Sequence, residues 1–366
     1  MRPIVGVGRP LGTAGAALQS SPMNPVLVEA LRGETCESAH RGAIAVLDAD
    51  GAVVASLGDI DRPIFPRSAV KVLQAIPLLE SGAADRLQLA DEELAVACAS
   101  HNGEPAHTAV VERMLAKAGL DVGALECGTH WPRLDFVGRA LAAQGREPTA
   151  LHNNCSGKHA GLLCVACALS DGNNVGEYAR GYVTPRHPVM RAVTEALQAT
   201  TGFDLDEAPR GVDGCSIPTF AIPLRHLALA FARVGSGVGL RPGHARAAER
   251  LRQAVARHPF MVAGTGRFDT AVMERLGERV FCKVGAEGVF CAALPQRGLG
   301  VAIKIDDGNN ARAAEVAMAA VIEACVTLDD GEASFMRALS EVTLRNCNGL
   351  DVGALRAAAA LRAALR

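Results

Sequence analysis

The sequence contains little lysine, tyrosine or tryptophan. Of its 366 residues only five are lysine, two tyrosine and one tryptophan, and the formal net charge is -2. Phosphate recognition needs a concentrated positive surface, and base stacking needs exposed aromatic rings. The composition therefore predicts that the chain has no nucleic-acid partner.

Long apolar segments are also missing. No run approaches the roughly 18 apolar residues that a membrane span requires, so we expect no membrane association. Glycine and proline interrupt the first 23 residues before an apolar run reaches signal-peptide length, which predicts a cytoplasmic location. Hydrophobic residues still make up 49% of the chain, which is ample for a buried core.

Eleven cysteines are a high and odd number. A reducing compartment disfavours disulfides, so we expect thiols, most of them acting as small buried apolar residues. The pair Cys164 and Cys167 is more typical of a helix interior than of a redox motif.

Two-residue alternation of apolar side chains marks both ends of the chain, whereas the middle has helical periodicity. Strands are predicted in the segments PVLVEALRG, GAIAVLDADGAVVASLG, ERVFCKVG, GVFCAALP and GLGVAIKID. The second segment indicates a hairpin, and the last three indicate a meander. Helices are predicted from Ser68 to Gly82, in ARAAEVAMAAVIEACV and in the alanine-rich tail from Leu350.

These patterns predict an α+β fold in which the N-terminal and C-terminal strands share one antiparallel sheet. We expect residues 1–23 to form an irregular extension and residues 24–366 to form a single catalytic domain. A helical insertion of roughly residues 85–277 would separate the two groups of strands.

Three short motifs occur at the boundaries of these regions. In chain order they are Ser68-x-x-Lys71, Ser100-x-Asn102 and Lys283-x-Gly285. Serine β-lactamases and penicillin-binding proteins arrange their S-x-x-K, S-x-N and K-T-G elements in this order, although Val284 replaces the threonine here. The fold class is therefore predicted to be like that of these serine hydrolases.

The motif residues suit nucleophilic catalysis. A serine hydroxyl attacks poorly until a base removes its proton, and lysine can act as that base only when it is neutral. A second cation nearby would favour a neutral Lys71, and Lys283 could supply it with Ser100 as a bridge. The alternative is structural: Ser68 as a helix cap, Lys71 as a solvated helix charge and Lys283 as an outward strand residue.

A second cluster contains Cys155, Lys158 and, far downstream, Cys215. Cys155 and Lys158 are three positions apart, so a helix would direct both side chains the same way. Two thiolates suit Zn2+, but an amine ligand must first lose its proton. Spacing alone therefore leaves a zinc site open.

Several separated segments, from about residue 24 to residue 328, resemble the Rhizobium etli type (class 3) L-asparaginases. They are PRSAVK (66–71), CASHNGE (98–104), HNNCSGKHAGLL (152–163), GVDGCSIPTFAIPL (211–224) and FCKVGAEGV (281–289). The resemblance implies a β-lactamase-like homodimer that hydrolyses L-asparagine to L-aspartate and ammonia.

The same resemblance implies roles for individual residues. Ser68 would be the nucleophile paired with Lys71, and Ser100 would form a second pair with Lys283. Substrate-binding residues would be Arg67, Asn102, His159 and Asp213. A Zn2+ ion would lie on Cys155, Lys158 and Cys215, positioning the substrate without necessarily being required for turnover.

Other functions share parts of this pattern. A glutaminase or another small amidase would use the same residues, since one methylene changes binding by only about 1–3 kcal/mol. A penicillin-interacting hydrolase would use the same serine and lysines, but no export signal is expected. A zinc or thiol sensor built on Cys155 and Cys215 would not depend on Ser68.

Overall fold

The structure is a computed structural model that describes residues 23–366. Nearly all of the predicted N-terminal extension, up to residue 22, lies outside the described residues. The strands, in chain order, are β1 (Val26–Arg32), β2 (Thr35–Asp48), β3 (Val53–Leu57), β4 (Pro63–Ile64), β5 (Arg210–Val212), β6 (Pro218–Phe220), β7 (Ile222–Pro223), β8 (Phe281–Val284), β9 (Val289–Leu294), β10 (Leu299–Ile305), β11 (Glu341–Arg345) and β12 (Asp351–Ala357).

Most helices lie between β4 and β8. In chain order the α-helices are α1 (Lys71–Gln74), α2 (Ile76–Glu80), α3 (Ala83–Arg86), α4 (Asp91–Ala97), α5 (Pro105–Lys117), α6 (Asp135–Ala143), α7 (Ser156–Leu169), α8 (Val175–Tyr178), α9 (Pro188–Thr201), α10 (Leu224–Ser236), α11 (Pro242–Arg257), α12 (Phe268–Leu276), α13 (Glu315–Cys325), α14 (Asp330–Ser340) and α15 (Ala359–Ala364).

One eight-stranded sheet joins the two ends of the chain. Its order is β11-β12-β1-β2-β10-β9-β8, with β3 also paired to β2. The N-terminal β1 pairs with the C-terminal β12, and β2 pairs with β10, both antiparallel. The predicted α+β class and the shared antiparallel sheet are therefore confirmed.

The C-terminal tail differs from its prediction as a helix. Residues Asp351–Ala357 form β12, and a helix follows only at Ala359–Ala364. Alanine favours helices in isolation, but β12 buries Leu355 and Ala357 while its backbone pairs with β1. Pairing on an existing sheet outweighs this intrinsic preference. The preceding strand β11 was not predicted.

The helix predicted from Ser68 to Gly82 is broken into short pieces. Residues Arg67–Val70 form a 3-10 turn, α1 ends at Gln74, and α2 begins at Ile76. Pro77 explains the second break, because its ring removes a backbone donor and crowds the preceding turn. Gly82 ends the segment in the left-handed conformation, as predicted.

The region inserted between β4 and β8 is mainly helical, as predicted, but also holds the short strands β5, β6 and β7. Its helix α7 is buried on nearly every face. An apolar helix without a solvent face belongs in the interior, so α7 fixes Cys155 and Lys158 within the core.

Helix α10 packs against the sheet strands β2, β9 and β10. Its backbone approaches so closely that a Cβ on Gly300 would lie 2.0 Å from the Ala228 carbonyl oxygen. Within residues 23–366 no helix is long and apolar enough to span a bilayer.

Candidate active site

Ser68 lies on a strained turn directly after β4. Arg67, the preceding residue, has a φ of 52°, a left-handed conformation that a side chain with a Cβ rarely adopts. Such strain costs of order 1–3 kcal/mol and is often found where a functional side chain must be presented. Ser68 is half-buried, and it faces a cavity.

Lys71, Ser100 and Lys283 form one buried network. The Nζ atoms of Lys71 and Lys283 are each 3.0 Å from Ser100 Oγ. Lys71 also donates to the Ala99 carbonyl and to Cys155 Sγ, the latter at 3.2 Å. Among the described residues no hydrogen bond joins Ser68 to Lys71, so Ser100 is the direct partner of both lysines here.

Burial changes the acid–base properties of these lysines. Lys71 is 1% exposed and Lys283 is 0% exposed, so neither is the solvated or outward residue of the alternative interpretation. Burial lowers the pKa of Lys71, and the positive charge of Lys158 lowers it further. Burial, together with Lys71 and Arg267, lowers the pKa of Lys283 to about 7, although Asp269 raises it. Both amines therefore lose a proton more readily than an ordinary lysine.

Gly285 allows the strand that carries Lys283 to approach the Ser68 turn. A Cβ at this position would lie 2.7 Å from the Pro66 carbonyl oxygen and 3.0 Å from Val289 Cβ. Both neighbours are held by the fold and cannot rotate away. The glycine of the Lys-x-Gly motif thus sets the distance between β8 and the serine turn.

We expect Gly285→Ala to lower kcat/KM for the L-asparagine hydrolysis that the resemblance implies by about 100-fold, because a displacement of about 1 Å can cost that much. Overpacking should also lower the free energy of unfolding by about 1–3 kcal/mol. Urea unfolding and steady-state kinetics measure both effects. Gly138→Ala is the matched control, since its Cβ would meet no atom closer than 3.9 Å. Unchanged activity in Gly285→Ala would contradict the close approach.

Cys155, Lys158 and Cys215 converge beside this network. Lys158 Nζ lies 2.9 Å from Cys215 Sγ, and Lys71 Nζ lies 3.2 Å from Cys155 Sγ. The neighbouring Cys215 thiol, helped by Lys71 and Lys158, lowers the pKa of Cys155 well below the ordinary thiol value. Burial opposes the charge on Lys158, but the nearby sulfurs raise its pKa overall. The cluster therefore favours a thiolate on Cys155 beside an ammonium on Lys158.

The residues around Ser68 enclose a cavity of about 240 Å3. Its lining includes the predicted residues Arg67, Ser68, Cys155, Asp213 and Cys215. A larger cleft of about 460 Å3 lies between α9 and β5 but contains none of the predicted site residues. Volume alone therefore does not locate the predicted chemistry.

Arg67 and Asp213 form an ion pair at the cavity wall. Arg67 Nε donates to Asp213 Oδ1 at 2.7 Å. Burial opposes ionisation of Asp213, but Lys158 and Arg67 outweigh it and lower the pKa of its carboxyl. The wall thus presents one positive and one negative group side by side, which suits a zwitterionic ligand.

Asn102 and His159 are buried deeper than the cavity lining. The Asn102 amide donates to Glu104 and to the Thr265 carbonyl, and it accepts from Arg267. These contacts occupy it within the protein, so its predicted substrate contact stays a prediction.

His159 is likewise engaged by the protein. Its Nδ1 and the Tyr182 hydroxyl are hydrogen-bonded at 2.6 Å, and the same hydroxyl accepts from the Glu126 N–H. Burial lowers the pKa of His159 well below its ordinary value, which keeps the ring neutral. Its predicted substrate role also stays a prediction.

Residues 28–357 match the family described as L-asparaginase II. The chain belongs to the L-asparaginase II family. The family resemblance drawn from the five sequence segments is therefore confirmed. Among curated proteins, no sequence matches the chain.

Several solved structures are similar to this member of the family. Mglu is 16% identical, with a TM-score of 0.33, and the match covers 75% of this chain and 64% of Mglu. A β-lactamase from Mycobacterium bovis is 15% identical, with a TM-score of 0.36 and coverage of 73% and 88%. A candidate β-lactamase from Bacteroides dorei is 14% identical, with a TM-score of 0.38 and coverage of 74% and 86%. At these TM-scores, the family assignment rests on the family match alone.

Sequence reasoning missed several cavity residues of this L-asparaginase II family member. His130 and Arg133 come from the segment before α6, and Ala286 comes from the turn after β8. His130 is held by accepting from the Asn154 N–H at 3.0 Å. The segment around His130 has no periodicity or motif, so only the tertiary fold reveals its position.

Proposed function

We propose that this protein is an L-asparaginase that hydrolyses L-asparagine to L-aspartate and ammonia, with Ser68 as the nucleophile. One observation carries the proposal. In a chain of the L-asparaginase II family, the strained Ser68 turn opens onto a cavity beside two buried lysines that share the Ser100 hydroxyl. The family resemblance implies the same serine.

In the proposed acylation step, neutral Lys71 accepts the Ser68 proton while Ser68 Oγ attacks the side-chain amide carbon. Burial supports the neutral amine by lowering the Lys71 pKa. Lys71 then returns the proton to the amide nitrogen, the C–N bond breaks, and ammonia leaves. A β-aspartyl ester on Ser68 remains. The Lys71 amine must turn from Ser100 towards Ser68, a rotation that the flexible lysine chain permits.

In the proposed deacylation step, Lys71 accepts a proton from a water molecule that attacks the ester carbon. The ester C–O bond breaks, aspartate leaves, and the proton returns to Ser68 Oγ. Ser68 and Ala286 both line the cavity, and we propose their backbone N–H groups as the oxyanion donors. They could hold the oxyanion of both tetrahedral intermediates.

We further propose that Arg67 and Asp213 recognise the charged α-groups of the substrate. A free amino acid carries one carboxylate and one ammonium, and the ion pair offers one partner of each sign. Substrate binding would exchange an internal ion pair for two pairs with the ligand. This exchange favours free amino acids over amides without charged groups.

A Zn2+ ion is also part of the proposal. The donor set fits, because the Cys155 and Cys215 sulfurs and the Lys158 amine converge in one cluster. No group of three or more His, Cys, Asp or Glu that could hold a metal occurs among residues 23–366, so the lysine would have to complete the set. Binding would release the Lys158 proton. The ion would supply Lewis acidity to position the substrate, while Ser68 remains the nucleophile.

A cytoplasmic homodimer belongs to the same proposal. The family resemblance supports the dimer.

The test is ammonia release from L-asparagine and L-glutamine at equal concentrations, with bound zinc assayed on the same samples. We expect L-asparagine to be preferred, with the preference corresponding to about 1–3 kcal/mol per methylene. A preference for L-glutamine would replace the proposal by a glutaminase. Release from neither, together with acylation by a fluorescent penicillin, would indicate a penicillin-interacting hydrolase. Stoichiometric zinc with no turnover would indicate a metal sensor.

A further inference from the structure

Asp269 is a fully buried carboxylate next to the lysine network. It lies in the first turn of α12 and is 0% exposed. Its Oδ1 accepts from the Val284 N–H at 2.8 Å, whereas Oδ2 has no hydrogen-bond partner among the described residues. Burying a carboxylate in this way is costly unless a cation compensates for it.

Lys283 is the cation placed to compensate. Its Nζ donates to the Val284 carbonyl at 2.8 Å, so Asp269 and Lys283 bind the N–H and the C=O of the same residue. Lys283 is also 0% exposed, which leaves little water to screen the attraction. The carboxylate accordingly raises the pKa of Lys283 against the effect of burial.

The other groups that act on Lys283 do not duplicate this role. Lys71 and Arg267 are cations that lower its pKa, and Cys155 is the other anionic group that raises it. Burial raises the pKa of each of the nearby thiols Cys98, Cys282 and Cys291, so all three stay neutral. Asp269 is therefore the main counter-charge of Lys283.

Glu315 lies close to Asp269 at the start of α13. Burial and the Asp269 charge raise the pKa of Glu315 to about 7. Its side chain is thus largely neutral below that pH, so it adds little negative charge beside Lys283.

We propose that Asp269 is a positioning residue that keeps Lys283 protonated, so that Lys283 donates to Ser100. This donation fixes the direction of the hydrogen-bond chain that runs through Ser100 to Lys71. Ser100 Oγ then accepts from one amine and keeps its own hydrogen for the other. Only the catalytic consequence of this inference rests on the proposed function, because the Asp269–Lys283 coupling itself requires no substrate.

The test uses the low lysine count. Labelling with [13Cε]lysine gives only five side-chain signals, and Lys283→Met identifies the one from Lys283. We expect Asp269→Asn, which keeps an acceptor for the Val284 N–H, to move the Lys283 titration midpoint lower by about one pH unit. A Lys283 midpoint in Asp269→Asn equal to that of the wild type would overturn the proposal.

Two further variants separate charge from folding. Glu93→Gln is the matched control, since Glu93 is also 0% exposed but pairs with Lys117 and Arg113. It should leave the Lys283 signal unchanged. Asp269→Glu keeps the negative charge and should restore the wild-type midpoint. If Asp269→Asn does not fold, Asp269→Ser removes the same charge from a smaller side chain and must lower the Lys283 midpoint in the same way.

The kinetic readout is the pH profile of kcat/KM. A lower Lys283 pKa means that the protonated form is lost at lower pH, so the alkaline limb of Asp269→Asn should shift to lower pH in parallel with the NMR midpoint. A fall in kcat with an unshifted profile would show a merely structural role. If the wild type releases no ammonia while the Lys283 midpoint still shifts, the proposed function fails and the coupling stands.

Discussion

Replacing Ser68 by alanine is expected to lower kcat for ammonia release from L-asparagine by more than about a thousandfold, because losses of this size follow removal of an attacking hydroxyl. KM should change much less, since Ser68 contributes one of several groups lining the cavity. Steady-state ammonia release measures both constants. Mass spectrometry of acid-quenched wild type should also show the β-aspartyl ester, which Ser68→Ala cannot form.

The matched control is Ser340→Ala. Ser340 is another buried serine, whose hydroxyl donates to Glu323 at 3.0 Å, and it lies outside the cavity. Its loss should leave kcat within about twofold of the wild type, as is usual for substitutions away from a site. Ammonia release above about a thousandth of the wild-type rate in Ser68→Ala would make Ser68 untenable as the nucleophile.

The sequence predicted the elements whose signals are local. The alternation in GLGVAIKID reflects a strand with two distinct faces, and β10 forms there beside β9, as the meander predicted. Gly82 ends its helical segment in the left-handed conformation, which a residue without a Cβ adopts at little steric cost. These features are determined by neighbouring residues, so a single sequence reveals them.

The missed features depend on distant residues. The residues around Asp351 carry no strand signal of their own. They form a strand because β12 pairs with β1. Asp269 resembles any acidic residue in a first helical turn, and its partner Val284 is 15 positions away. Its relation to Lys283 becomes visible only when α12 packs against β8.

The candidate site shows the same division. Ser68 and Lys71 were found because their spacing is a recognisable motif, but the motif does not show which group the Lys71 amine contacts. The structure directs Lys71 to Ser100 rather than to Ser68. This contact is set by the segment that follows α4, and no local pattern in that segment indicates its neighbours. The family resemblance supplied the pairing of Ser100 with Lys283, and the 3.0 Å contact agrees with it.

Replacing Lys71 is expected to have the second large effect. Lys71→Arg keeps a cation of similar length, but a guanidinium does not give up its proton in proteins. If Lys71 is the base, kcat should fall by about 100-fold to 10,000-fold, the usual contribution of general base catalysis. Measured kcat values for Lys71→Arg and Lys71→Met should then be similarly low. Lys117→Arg is the control, because Lys117 is half-buried on α5 and pairs with Glu93.

The pH profile separates the base from a structural cation. The pKa of Lys71 is lowered in the folded protein, so the wild type should keep a neutral amine at lower pH than an ordinary lysine would and lose activity only as the pH falls further. Lys71→Arg has no group that can titrate in this way, and its residual activity should lack that acid limb. If Lys71→Arg instead retains more than about a tenth of the wild-type kcat, Lys71 acts through its charge. The proton of Ser68 would then have to leave through another group.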